Sequence, residues 1–176
     1  MKYLTNDEIK RLFVPLVDLR DKLLIQLGLV LGCRVSEICN ISLSDLKSDR
    51  IVLHDQKKNV LRDVIIDNST KSLIEAYLHD QRQPTEYGRH KLFDFSTKTA
   101  NRIIKHYFSL ADIPADKAHW HTLRHTYIVH SLERGVPLNH IVEQTGDSIG
   151  TIISVYGRPS IDDRKAMIED KGRYWE

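Results

Sequence analysis

Residues 18–38, DLRDKLLIQLGLVLGCRVSEI, carry the reading on which the fold turns. Leu24, Leu27, Gly28 and Leu31 fall on one stripe of a helix that starts near Asp18, and Leu23 and Val30 widen that stripe. A stripe this broad predicts a central, buried helix. Gly32 stops it, and Arg34 to Ile38 starts a short new helical turn. An arginine just past a glycine stop, with Glu37 three residues on, can be held by that acid and aimed at an anion. Its paired donors match two oxygens of a phosphate. Without further context the same pair is an ordinary i,i+3 ion pair at a helix start.

Upstream, Thr5-Asn6-Asp7-Glu8 reads as a capping box. Ile9, Leu12, Phe13 and Leu16 follow at helical spacing, with Pro15 ending that helix early. Downstream the texture changes. Ile51-Val52-Leu53 and Val64-Ile65-Ile66 are β-branched runs that predict a hairpin, its long tip His54–Asn59 carrying Lys57 and Lys58. Helical spacing returns at Leu73, Ile74, Tyr77 and Leu78. Lys91–Phe95 reads as a third short strand, and Ile103, Ile104, Tyr107 and Phe108 as a further helix. Helices are then predicted from near Thr122, from Pro137, which suits a first helical position, and after Ser148. A charged tail runs from Ser160. The pattern predicts a mainly α fold with a small antiparallel β-sheet (α+β), as a single domain over residues 1–176.

Composition narrows the function classes. With 41% hydrophobic and 28% charged residues the chain has an ordinary globular balance. Two cysteines, Cys33 and Cys39, exclude a disulfide scaffold and a four-cysteine zinc site. The start MKYLTNDEIK lacks an apolar signal core, and the oily run Leu23–Cys33 is too short to span a bilayer. A reduced, cytoplasmic protein with no membrane partner is expected. Lys and Arg total 26 against 24 Asp and Glu, so any nucleic-acid binding must come from local arrangement. Gln81–Leu110 offers one: Arg82, Arg89, Lys91, Lys98, Arg102 and Lys105 stand against Glu86 and Asp94. This is a candidate DNA-binding patch, or else a solvated helix face.

Three further stretches carry candidate chemistry. In His121-Thr122-Leu123-Arg124-His125-Thr126, His121 and Arg124 lie at i,i+3 around a helix start, where backbone N–H groups already favour a phosphate. A histidine there can also move protons near neutral pH. His121 and His125, with His119, raise the alternative of zinc. No third ligand of carboxylate or cysteine type stands at a convincing spacing, so no metal is assigned. Ile149, Ile152, Ile153 and Tyr156 share a stripe that alone makes Tyr156 a core tyrosine. Gly157-Arg158-Pro159 ends the helix there, which puts the phenol at a helix end where it can attack a phosphodiester. Lys57 and Lys58 at the hairpin tip are either a solvated turn or a cation that reaches into a bound groove.

Taken in order, GCRVSEICNISLSDL, the Lys57–Arg62 hairpin, HTLRHT and TGDSIGTIISVYG resemble the catalytic domain of the tyrosine recombinases: phage-type and archaeal integrases and the Xer-type recombinases. The likeness runs from Thr5 to Gly157. It implies that family's catalytic-domain fold and a site-specific recombinase that cleaves and rejoins double-stranded DNA through a 3′-phosphotyrosyl intermediate, with no metal or cofactor. On this resemblance Arg34 and Arg124 clamp the scissile phosphate and His121 assists. Glu37 orients Arg34, and Tyr156 is the nucleophile, ten residues after Gly146. Lys57, five residues before Arg62, is the acid for the leaving oxygen, with Lys58 next in line. The family's DNA-clamping N-terminal domain is not in this sequence, so the chain is expected to be a fragment or a minimal member. It is expected to act on host or nucleoid DNA as a tetramer, with the tail 160–176 passing between protomers. One position departs: Asp147 stands where the family usually has histidine or tryptophan. Three roles are open to it, namely capping the next helix, supporting a catalytic arginine from behind, or acting protonated. The departure also keeps alive a DNA-binding protein with weakened catalysis. A type IB topoisomerase-like relaxase is a further alternative.

Overall fold

Thr5 opens the first helix as its spacing to Glu8 predicts: Thr5 Oγ1 accepts from Glu8 N at 3.2 Å, and Glu8 Oε2 accepts from Thr5 N at 2.8 Å. The computed structural model describes residues 2–55, 60–80, 90–156 and Lys165. These divide between two compact units, residues 1–146 and 147–176. The first holds α1 (Asn6–Phe13), α2 (Leu19–Leu31), α3 (Val35–Cys39), strands β1 (Arg50–Asp55) and β2 (Val60–Ile65), α4 (Asn68–Asp80), α5 (Thr97–Leu110), α6 (Trp120–Glu133) and α7 (Leu138–Thr145). The second holds α8 (Ile149–Tyr156).

The core forms around α2. Asp18 caps it, accepting from Asp21 N at 2.9 Å, and Gly32 ends it in the left-handed conformation, φ 57°. Leu23, Leu24, Ile25, Leu27 and Leu31 are fully enclosed, and α4, α5 and α6 pack around the helix. Gly28 lets α6 come close, since a Cβ there would lie 2.7 Å from Leu123 Cδ1. Across the α4 face, Gln26 Nε2 donates to Thr70 Oγ1 at 3.0 Å, giving a buried polar group its partner. Ahead of α1, Leu4 N donates to Thr126 Oγ1 at 2.9 Å, which clips the N-terminal segment onto α6.

The fold class is as expected: mostly helical with one two-stranded antiparallel sheet. Two local readings are corrected. Lys91–Phe95 is not a third strand; it makes a single bridge, Lys91 to Ser42, flanked by Leu43 N to His90 O and Leu92 N to Ile41 O, both 2.8 Å. A strand alternates its side chains between two faces, whereas the adjacent Leu92 and Phe93 are both buried. The hairpin arms are also longer than expected. His54 and Asp55 belong to β1, paired with Leu61 and Val60, and the rest of the expected tip, residues 56–59, lies outside the described residues. Ile51, Leu53 and Asp55 form the buried face of β1, the last position taken by a carboxylate.

Two changes probe this core. Gly32→Ala meets both the left-handed backbone and the Tyr127 ring, 2.5 Å from the built Cβ. It should destabilise by about 2 kcal/mol or more in urea unfolding. At the other end of the domain, Lys117 Nζ donates to both Glu8 oxygens, at 2.6 and 2.8 Å. Burial pushes the Glu8 carboxyl up, but the bonds from Lys117 and Thr5 outweigh it and leave the pKa below 4.5. A carboxyl whose folded pKa is depressed stabilises the fold above its unfolded value, and that contribution fades as pH falls through the folded pKa. Thermal melts should therefore separate wild type from Lys117→Met at neutral pH, and the two should converge as pH drops below about 4.5.

Candidate active site

Arg34 stands at the start of α3 in extended conformation, φ −72° and ψ 147°. One turn on, Glu37 reaches back: Oε2 accepts the Arg34 backbone N–H at 2.7 Å and Oε1 accepts from Arg34 Nη1 at 3.3 Å. The same Nη1 donates to Asp55 Oδ2, at the end of β1, at 2.9 Å. Arg62 on β2 completes the cluster, with Nη1 and Nη2 donating to the two Glu37 oxygens at 2.7 and 3.0 Å. Its Nη2 also reaches Thr145 O at 3.2 Å and Cys33 Sγ at 3.4 Å. Side-chain exposure rises from 4% at Glu37 and 6% at Asp55 through 11% at Arg62 to 28% at Arg34, so the charges meet solvent through Arg34.

These surroundings set the ionisation. Burial pulls the Arg62 pKa down, but its bonds to Glu37 outweigh that and leave it raised. Arg62 is therefore a permanent cation. Burial pushes the Cys33 thiol up to about 12, so it stays protonated and serves as a packing group beside Arg62.

Arg124, buried in α6, is held differently. Its Nη1 donates to Gly32 O at 2.7 Å and Thr145 O at 3.1 Å, carbonyls at the C-terminal ends of α2 and α7. These ends carry the negative pole of the helix dipole. Trp120, one turn earlier, donates Nε1 to Cys33 O at 2.7 Å. α6 thus grips both carbonyls of the Gly32–Cys33 turn, the peptide segment that carries Arg34. His121 lies in the first turn of α6, exposed, its ring 6.4 Å from that of His125. Among the described residues no three His, Cys, Asp or Glu side chains converge as metal ligands would.

The hairpin is tied to α7 from its open edge. Gln144 Oε1 accepts from Ile65 N at 3.1 Å and its Nε2 donates to Ile65 O at 2.8 Å, as a neighbouring strand would. Gly146 ends α7 at φ 73°, and a Cβ there would stand 2.9 Å from the Arg62 guanidinium. Only glycine suits both the backbone and that approach.

Arg34, Glu37 and Arg124 are thus gathered around one turn. Lys57 and Lys58 lie outside the described residues, as do Arg82, Arg89 and residues 166–176 of the tail. Lys98, Arg102 and Lys105 are exposed on one face of α5, and the exposed Lys91 donates to Asn40 Oδ1 at 3.1 Å. In the second unit, Tyr156 is the last residue of α8 and half-buried. At the start of α8, Ser148 immediately precedes the first helical residue, and its Oγ accepts from Thr151 N at 3.0 Å. Asp55 and Arg62 are the site residues that sequence reasoning did not single out. Arg62 had served only as a spacing mark.

The family model described as the phage integrase family matches residues 2–160. The chain belongs to the phage integrase family. Among curated relatives, tyrosine recombinase XerA of Thermococcus kodakarensis is 32% identical over 180 residues, covering 97% of this chain and 63% of that protein. XerA of Pyrococcus furiosus is 30% identical over 177 residues, covering 96% and 61%. The chain therefore spans somewhat under two thirds of the length of these relatives. A crystal structure of XerA recombinase superposes with a TM-score of 0.79 at 28% identity, covering 99% of this chain and 67% of that one. XerH site-specific recombinase, in a pre-cleavage complex with its difH substrate, shares the fold at a TM-score of 0.80 and 18% identity, covering 100% and 55%.

Within this integrase-family fold Glu37 is the group on which both hairpin and arginine depend. Glu37→Ala leaves Arg62 buried without its acid, and loss of one partner from a buried pair costs about 3–5 kcal/mol. Urea unfolding should show a loss of that order, whereas Glu75→Ala on the exposed face of α4 should change stability by under about 0.5 kcal/mol.

Proposed function

We propose that this chain is the strand-cleaving part of a site-specific tyrosine recombinase that breaks and rejoins double-stranded DNA. The observation that carries this reading is the immobilisation of Arg34 and Arg124 about a single turn, each by fixed acceptors behind it. Attack on a phosphodiester builds negative charge on the non-bridging oxygens. Donors already in place stabilise that charge without reorganising.

In the proposed step the Tyr156 oxygen attacks phosphorus while its proton passes to a base or water, with His121 assisting. The P–O5′ bond breaks, and Lys57 gives a proton to the departing 5′ oxygen. The product is a 3′-phosphotyrosyl ester with a 5′-hydroxyl strand. Rejoining reverses each transfer, so no external energy source or metal is required. Arg82, Arg89, Lys91, Lys98, Arg102 and Lys105 are proposed to track the DNA backbone. Assembly is proposed as a tetramer on DNA, with residues 160–176 joining protomers and an N-terminal DNA-clamping domain completing the grip. Its work on DNA is proposed to take place in the cytoplasm. Asp147 favours one rival, a DNA-binding protein of the same fold with weakened cleavage. A carboxylate ionised beside the phosphate would oppose the arginines.

Covalent trapping separates the two. A pool of nicked suicide duplexes randomised around the nick, incubated with protein and resolved in denaturant, should yield an adduct whose peptide carries DNA on Tyr156. Tyr156→Phe should abolish the adduct and keep DNA binding. Binding without any adduct, or DNA on another tyrosine, would overturn the assignment. Lys57→Ala should slow cleavage, and a 5′-bridging thiolate leaving group should restore it; failure of that rescue would move the acid to Lys58.

A further inference from the structure

Asp55 has no role in the motifs read from the sequence or in the resemblance drawn from them, yet its bond to the Arg34 guanidinium, 2.9 Å, is shorter than the 3.3 Å bond that Glu37 makes to the same nitrogen. We propose that Asp55 is a positioning residue that fixes the plane of the Arg34 guanidinium. This rests on the reading of Arg34 as a phosphate ligand.

The register of β1 makes Asp55 unusual. Ile51, Leu53 and Asp55 share the inward face, and an apolar side chain continuing that face would commonly be as stable as a buried ion pair, or more so. Stability alone therefore gives little reason for a carboxylate at this position. Orientation does. Glu37 commits both oxygens to Arg62, at 2.7 and 3.0 Å, and its contact with Arg34 Nη1 is the longest in the cluster's ion-pair bonds. Asp55 gives the same amino group a second acceptor, contributed by β1 rather than α3, so that both hydrogens of Nη1 are directed and the plane of the fork is set. A planar donor fork is useful against phosphate only when its plane is set.

The opposite expectation is equally definite. If Asp55 acted only through its charge, it would repel the phosphate, and removing that charge would speed cleavage.

Asp55→Asn keeps the size of the side chain and loses the charged acceptor. On the nicked duplex recovered with wild-type protein, single-turnover adduct formation should fall roughly 10- to 100-fold, with the Kd for that duplex within about twofold of wild type. In an Arg34→Ala background the same change should cost nothing further, because a residue that acts through Arg34 has nothing left to position. Circular dichroism and thermal melting check the fold. If the Asn variant does not fold, Asp55→Ser runs the same cycle. Cleavage equal to or faster than wild type overturns the proposal, and so does an equal loss in both backgrounds. A wild-type protein that forms no adduct overturns the recombinase reading and the role of Asp55 with it. A wild-type adduct beside an unimpaired Asp55→Asn overturns the role of Asp55 alone.

Discussion

The Glu37 carboxylate accepts four hydrogen bonds: from the backbone N–H and Nη1 of Arg34, and from both terminal nitrogens of Arg62. The four bonds serve three tasks. The backbone bond starts α3, the Arg34 side-chain bond steadies the candidate phosphate ligand, and the paired bonds fasten the hairpin to the helical body. A buried carboxylate is costly unless its lone pairs are filled by charged partners, so none of the three can be withdrawn without exposing the others. The helix start, the sheet and the site are consequently set by one residue. Its 4% side-chain exposure keeps water from competing for any of these bonds.

A second layer comes from backbone rather than from acids. Arg124 and Trp120 bind the carbonyls of Gly32 and Cys33, the two residues before Arg34, from adjacent turns of α6. The close approach of α2 and α6 at Gly28 brings these donors within reach. Packing and site geometry are here the same fact. A core change that moved α6 away from α2 would let the Arg34 turn relax even with every polar residue intact.

Much of this was legible in the sequence because periodicity and punctuation agree with the final contacts. The broad stripe on α2, the glycine stop at Gly32 and the capping box at Thr5 all describe local geometry that tertiary contacts then reinforce. The reading failed where a local signal was overruled. Asp55 resembles a loop residue, because a charge at the inward position of a strand makes sense only once Arg34, distant in sequence, is there to neutralise it. Leu92 and Phe93 resemble strand, but the core demands both side chains at once and breaks the alternation. Arg62 could not be ranked above other surface arginines, since its importance lies in Glu37 and Thr145, neither of which is near it in the chain.

The contrast between carboxylate and carbonyl partners has a consequence for the electric field that an incoming anion meets. Arg34 and Arg62 are each matched by an acid, so with Glu37 and Asp55 they sum to zero formal charge. Arg124 also donates to peptide carbonyls, those at the C-terminal ends of α2 and α7. The Arg34 cluster therefore offers an incoming anion a fixed donor fork, while two helix ends set the place of the Arg124 guanidinium.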